Sequence, residues 1–235
     1  AEKKLYVTPN APDRPGVTVL NCFPNGVAVK EFIGGDDFGI FDFVLDENTN
    51  IGYYSIRFGG NAAIIKVDLN NQDLAPEPFH NSFEFGNIFF AFDFANNKIY
   101  YSAQNGIVTV NEFGQISGES DYGIPGSKHS VEFDPTTGML YFSQFSSIDG
   151  VNNIYRVDPT DLQNVAEPLL PMAETSPEGF PIEGMDIDER NQEIFWSDKS
   201  CGCIKRMNLN DRSDISIVVD GLNNPRAIVV GIFEK

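Results

Sequence analysis

Apolar residues in this chain come in brief runs of strand length, separated by Gly, Pro, Asn and Asp. No stretch of a dozen residues carries apolar positions at i, i+3 and i+4, so no amphipathic helix is expected. The pattern is one of many short strands. It is clearest in Met185–Asp211, where the runs Ile194–Trp196 and Ile204–Met207 stand between polar turns. The same frame recurs along the chain. An Asp precedes an aromatic by seven positions at Asp46/Tyr53, Asp93/Tyr100, Asp134/Tyr141 and Asp188/Phe195. A half-copy, Lys4–Thr8, opens the chain, and the apolar stretch Pro225–Val230 near its end lacks a continuation. Internal repeats of this length predict a solenoid, propeller or array.

The 235 residues divide into five copies of about 47. The predicted fold is all-β: a five-bladed β-propeller of four-stranded antiparallel blades. The single domain 1–235 has blades at about 1–34 plus 225–235, 38–79, 86–119, 127–170 and 181–221. A C-terminal strand at Ala227–Val230 joining Lys4–Thr8 would close the ring and leave no edge open.

The residues Phe195–Asp198, FWSD, carry a family resemblance. They resemble the YWTD signature of the class B repeats of low-density-lipoprotein-receptor-like proteins. The other copies read YVTP, YYSI, YYSA and YFSQ, keeping the aromatic and the hydroxyl. The resemblance implies a propeller; that family usually has six blades where five are counted here. It implies no particular ligand.

Strand alternation sets the expected core. Phe43, Leu45, Phe90, Phe92, Val131, Phe133, Met185 and Ile187 share one strand face and are expected to pack between blades. The repeat aspartates Asp46, Asp93, Asp134 and Asp188 read as turn formers that bond their own backbone.

Composition narrows the function. A formal charge of −18 excludes a phosphate-binding basic surface and disfavours docking on anionic lipid. No apolar run is long enough for a spanning helix. The start at Ala1 fits a processed, secreted protein or a trimmed chain. Of three cysteines, Cys22 could bridge to Cys201 or Cys203, or all three could be thiols.

Antiparallel order puts the long, irregular segments on one end of the blades: Pro9–Gly16, Arg57–Asn61, Asn81–Gly86, Glu119–Lys128, Gln144–Asn153 and Pro171–Gly184. Binding residues gather on such loops. The candidate ligand face comprises Phe58, Phe83, Phe85, Tyr122, Phe145, Phe180, Asp121 and Asp149, aromatics beside carboxylates that suit a sugar, a cationic ligand or a basic protein patch. The expected role is non-catalytic, extracellular binding of a glycan or protein, with no nucleic acid and no membrane insertion. The alternative is a hydrolase of lactones or phosphoesters using a carboxylate-held metal at the axis. For that role Asp42, Glu132 and Asp186 are the candidate ligands, pointing at a central channel and suited to weak calcium binding. Of the two histidines, His129 is the better candidate base, at the start of a strand on the loop-rich end.

Overall fold

The computed structural model describes residues 4–7, 18–21, 28–31, 39–46, 48–58, 61–68, 70–71, 76–82, 89–145, 151–171, 176–177, 182–225, 228 and 230. Their regular structure is all β-strand, in five antiparallel sheets. No helix among the described residues is long and apolar enough to cross a membrane.

The chain divides into two compact units, Ala1–Phe89 and Phe90–Lys235. In the first, β1 (Lys4–Val7), β2 (Thr18–Asn21) and β3 (Ala28–Glu31) form a three-stranded sheet in sequence order. A four-stranded sheet follows: β4 (Gly39–Asp46), β5 (Ile51–Phe58), β6 (Asn61–Asp68) and β7 (Glu77–Ser82). One face of it gathers Tyr54, Ala63, Ile65 and Val67.

The second unit has three sheets. The third sheet is β8 (Phe90–Asp93), β9 (Lys98–Ser102), β10 (Ile107–Val110) and β11 (Ile116–Ser120). The fourth is β12 (Lys128–Asp134), β13 (Met139–Phe145), β14 (Val151–Val157) and β15 (Glu167–Pro168), and β16 (Ser176–Pro177) also pairs with β14. The fifth is β17 (Met185–Asp188), β18 (Glu193–Asp198), β19 (Cys203–Asn208) and β20 (Ser216–Val219). Within the run 171–184, expected to be loop throughout, β16 thus makes a short ladder. At the C-terminal end Arg226, Ala227 and Val229 lie outside the described residues, and with them the expected closing strand.

The repeat aspartates act as their position predicts. Asp46 accepts from the Asn48 N–H at 3.0 Å and from the Thr49 hydroxyl at 2.5 Å. Asp93 accepts from the Asn96 backbone and side chain at 3.1 and 2.8 Å. Asp134 accepts from the Thr136 N–H at 2.9 Å and the Thr137 hydroxyl at 2.7 Å. Asp188 accepts from the Arg190 N–H at 3.1 Å and the Asn191 amide at 2.7 Å. Each turn then passes through a left-handed residue, at Asn50, Asn97, Gly138 or Gln192, with φ between 50° and 71°. It is the last of the four residues between the paired strand ends, where the left-handed turn brings the chain back into the ladder.

Two apolar layers hold the second unit together. Between the third and fourth sheets lie Ala91, Tyr100, Ile107, Val131, Leu140 and Phe142, with Phe133 packed against them. Between the fourth and fifth lie Tyr141, Ile154, Leu170, Met185, Ile194, Trp196 and Met207, with Ile187 at the margin. Burial of each large apolar side chain contributes ~1.5–3 kcal/mol. In the fourth and fifth sheets the hydroxyl that follows the repeat aromatic binds the segment leading into the fifth sheet. Ser143 donates to the Ile182 carbonyl at 2.6 Å and accepts from the Ser130 N–H at 3.0 Å. Ser197 accepts from the Gly184 N–H at 3.1 Å, and Ser130 accepts from the Met185 N–H at 3.1 Å.

The alternation corrects one expectation. Tyr141, which pairs with Glu132, packs against Met185 and Trp196, so Ser130 and Glu132 occupy the face of the fourth sheet turned to the fifth. Ala91, an intervening residue of the first strand of its sheet, is buried between the third and fourth sheets. Side chains project from the two faces of a sheet, and in stacked sheets both faces meet a neighbour. The intervening residues of a first strand therefore pack between sheets as well.

Candidate functional site

The joins β9–β10, β11–β12, β13–β14 and β18–β19, with the segment before β17, come together at the same end of the second unit's strands. Its best-defined feature is the loop 121–127. Asp121 accepts from the Gly123 N–H at 2.9 Å, which turns the chain as it leaves β11. The loop is then held from beneath by two neighbours in the β12/β13 register, Lys128 and Gln144. Lys128 Nζ donates to the carbonyls of Ile124 at 2.5 Å and Gly126 at 2.8 Å, and lies 5.6 Å from the centre of the Phe142 ring. Gln144 Nε2 donates to the intervening Pro125 carbonyl. Three consecutive carbonyls are thus fixed by side chains of the sheet. Burial lowers the Lys128 pKa to about 8, against the smaller opposing pull of Asp121. Lys128 carries no sequence signal as a buried cation; only its place at the start of β12 could have marked it.

Beside this staple lies a charged group. Lys199 Nζ and Glu183 Oε1 form an ion pair at 2.6 Å. His129 sits near both: burial lowers its pKa, Glu183 opposes this, and Lys199 adds to it. A depressed imidazole pKa favours the neutral ring at neutral pH. Asp198, the last residue of FWSD, is buried and pairs with Lys205 at 3.1 Å. Burial works to raise its pKa, and hydrogen bonds from Ser200 with the Lys205 charge overcome that and hold it below the usual range.

At the same end Cys201 and Cys203 are joined by a disulfide, with Cα atoms 5.3 Å apart. This corrects the expected bridge from Cys22, and the reading of three thiols; Cys22 itself lies outside the described residues. A cross-link that closes so short a loop removes little entropy from the unfolded chain, about 1.5 kcal/mol by the loop-length relation.

The expected ligand face is only partly assembled by the described residues. Asp121 is exposed at the loop. Tyr122 is a correction: it is 1% exposed and packs against Phe142, ring centres 6.3 Å apart. Its left-handed backbone, φ 50°, turns the side chain under the loop instead of outward. Phe58 ends β5 and Phe145 ends β13, so both belong to strands where loops were expected. Phe83, Phe85, Asp149 and Phe180 lie outside the described residues.

The metal expectation is likewise corrected. Among the described residues no group of three or more His, Cys, Asp or Glu side chains is arranged to hold a metal ion. Asp42 belongs to the first unit, on β4. Glu132 faces the fifth sheet, whereas Asp186 lies on the face of that sheet opposite Met185 and Ile187. Asp186 accepts from the N–H groups of Ile187 at 2.8 Å and Val230 at 2.5 Å. Burial raises its pKa, partly opposed by those two bonds. These are bonds of a carboxylate tied to backbone, on the wrong side of the sheet to share a cation with Glu132.

The sequence matches no family model and no curated protein. Solved structures do match. A crystal structure of a nidogen/laminin complex aligns with a TM-score of 0.73 at 15% identity, over 97% of this chain and 81% of that one. TolB from Acinetobacter baumannii aligns with a TM-score of 0.71 at 14% identity, over 92% of this chain and 52% of that one. Both neighbours are β-propellers, and with its antiparallel four-stranded sheets this chain has the same fold.

Proposed function

We propose that the protein is a non-catalytic, secreted binding propeller of the YWTD type. Its ligand is a protein, engaged through the loop end of the second unit. The observation that carries the reading is the staple under loop 121–127. Lys128 and Gln144 hold three consecutive carbonyls, which fixes the loop's outer surface before any ligand arrives. A loop ordered in advance loses less freedom on association, which favours binding. Exposed Asp121 gives that surface a fixed negative charge, with the largely buried Glu183–Lys199 pair at the same end, which suits a basic protein patch more than a sugar. One structural neighbour is a complex of two proteins, nidogen and laminin, which is consistent with this use of the fold. The Cys201–Cys203 bridge suits an oxidising compartment.

The test is a binding screen of the full chain against arrays of extracellular proteins and glycans, with and without chelator. Hits are repeated with Asp121→Lys and Lys199→Glu. The expected result is protein binding that survives chelator and falls at least about tenfold in one variant, the size of a lost charge pair in an interface. Binding to glycans alone, or binding indifferent to both variants, would overturn the assignment.

A further inference from the structure

We propose that Cys201–Cys203 is a thiol–disulfide exchange site. The attacking group is the thiolate of a small thiol or of a cysteine-bearing peptide, and its point of attack is Cys201 Sγ. The inference is independent of ligand binding by the loop end.

Three observations carry it. The two sulfurs are unequal: Cys201 is exposed, while Cys203 is fully buried at 0% exposure. Exchange proceeds by in-line approach of a thiolate to one sulfur, so access selects Cys201 as the attacked atom and Cys203 as the leaving group. Second, the residue between them is pinned by backbone of another segment, not by the bridge. Gly202 has φ 63°, and a Cβ there would lie 2.5 Å from the Leu222 carbonyl oxygen, so a side chain is excluded by backbone. Third, the hairpin does not depend on the bridge. The Asp198 carboxylate accepts from the Ser200 N–H at 2.9 Å and the Ser200 hydroxyl at 2.5 Å. Leu222 N–H donates to the Gly202 carbonyl at 2.7 Å, and Asp198 pairs with Cys203 at the base of the β18–β19 ladder. The S–S bond can therefore open while its surroundings stay in place.

The chemistry balances without another cofactor. A thiolate forms a bond to Cys201 Sγ as the Cys201–Cys203 bond breaks. Cys203 leaves with the electron pair and takes a proton from solvent. A second thiol of the same peptide then attacks the peptide sulfur of the mixed disulfide and expels Cys201 as thiolate. The peptide dithiol is oxidised to a disulfide and the protein bridge is reduced to a dithiol. A disulfide such as oxidised glutathione reverses the sequence and restores the bridge.

The experiment equilibrates the full chain in glutathione buffers of graded redox ratio, quenches with acid and maps cysteine states by mass spectrometry. A second arm supplies a reduced dithiol peptide instead. The expected result is interconversion of the bridge within the glutathione series, with the mixed disulfide on Cys201. The far-ultraviolet spectrum should be unchanged between the two states. Cys203→Ser should accumulate the adduct on Cys201, and Cys201→Ser should abolish it. Oxidation of the peptide in the second arm would identify a peptide as partner, and exchange with glutathione alone would identify a small thiol. The proposal fails if the bridge stays oxidised across the series, if the adduct formed as the bridge opens maps to Cys203 instead of Cys201, or if reduction unfolds the chain. The wild-type equilibrium and adduct positions distinguish these outcomes even where a serine variant does not fold.

Discussion

Replacing Lys128 by Met should change how stability depends on pH. Burial lowers the folded-state pKa from 10.5 to about 8, with Asp121 pulling weakly the other way. At about 1.4 kcal/mol per pH unit, that difference corresponds to ~3 kcal/mol. Its sign follows from proton counting. The unfolded chain keeps the Lys128 proton up to about 10.5, whereas the folded chain releases it near 8. Between those values the unfolded state binds more protons, so this group's contribution to stability rises with pH. Below about 8 the full cost of the buried charge is present. Above 10.5 it has gone. The Met variant also loses the bonds to the Ile124 and Gly126 carbonyls, an offset common to all pH values. The slope is therefore the measure. Urea unfolding of both proteins from neutral pH to the top of this window gives it directly. The phenols of Tyr54 and Tyr122 are pushed up to about 12, and that of Tyr100 higher still, mainly by burial; in the unfolded chain they ionise from about 10.0, so they lower stability at the top of the window, but alike in both proteins. Wild type should gain on the variant by up to ~3 kcal/mol as pH rises. A difference constant to within about 0.5 kcal/mol, the ordinary size of a surface effect, would refute a buried, charged Lys128.

Tyr122→Ala should lose ~3–5 kcal/mol of stability, measured by chemical denaturation, because the ring is core. An unchanged unfolding midpoint would return Tyr122 to the ligand surface. Asp134→Ala removes two turn bonds from a buried carboxylate and should cost about 1–3 kcal/mol in the same assay. Asp186→Asn should cost about 1–3 kcal/mol at pH 7, because one carboxylate oxygen accepts from Ile187 and the other from Val230, and the amide keeps a single acceptor oxygen, leaving one of these N–H groups without its partner. The folded Asp186 holds its proton to higher pH than the unfolded chain, so its cost appears as pH rises past the ordinary carboxylate range and persists at neutrality. Calorimetric titration with calcium should not distinguish this variant from wild type; a calcium response lost in Asp186→Asn would reinstate the metal. Reducing Cys201–Cys203 should lower stability by no more than about 1.5 kcal/mol, read from the melting temperature.

The repeat was legible because each copy solves the same local problem. An Asp at the end of a first strand must turn the chain within a few residues, and a side-chain carboxylate that accepts local N–H groups does so in every copy. The left-handed position after it was not marked, because Gln192 fills it in one copy where Asn or Gly fills it in the others. The repeated hydroxyl was visible as a letter but not as a function. Its partners stand well away in sequence, Ile182 by 39 residues from Ser143 and Gly184 by 13 from Ser197, and nothing local announces them. The candidate site was read least well for the same reason. Tyr122 looked like a loop aromatic, but one left-handed residue reverses where a side chain points. The Lys128 staple depends on loop carbonyls that every residue possesses, so no side-chain pattern could reveal it.

The misplaced carboxylates show which inference alternation supports. A period of two assigns residues to two faces of a sheet, and it was sound in grouping Val131 with Phe133 and Met185 with Ile187. It does not say that one of those faces is wet. In a sheet packed on both sides, the polar member of each pair needs its own buried partner, and the structure supplies one where the residue is small. Ser130 takes the Met185 N–H, and its own N–H is taken by Ser143. Asp186 is the same solution with a charge in it: its carboxylate is spent on the N–H groups of Ile187 and Val230, the second of them 44 residues distant. An acidic residue in the first strand of such a sheet is therefore better read as a clasp between chain segments than as a ligand waiting at an axis, and the loop end, where side chains instead reach for carbonyls, is where specificity has room to arise.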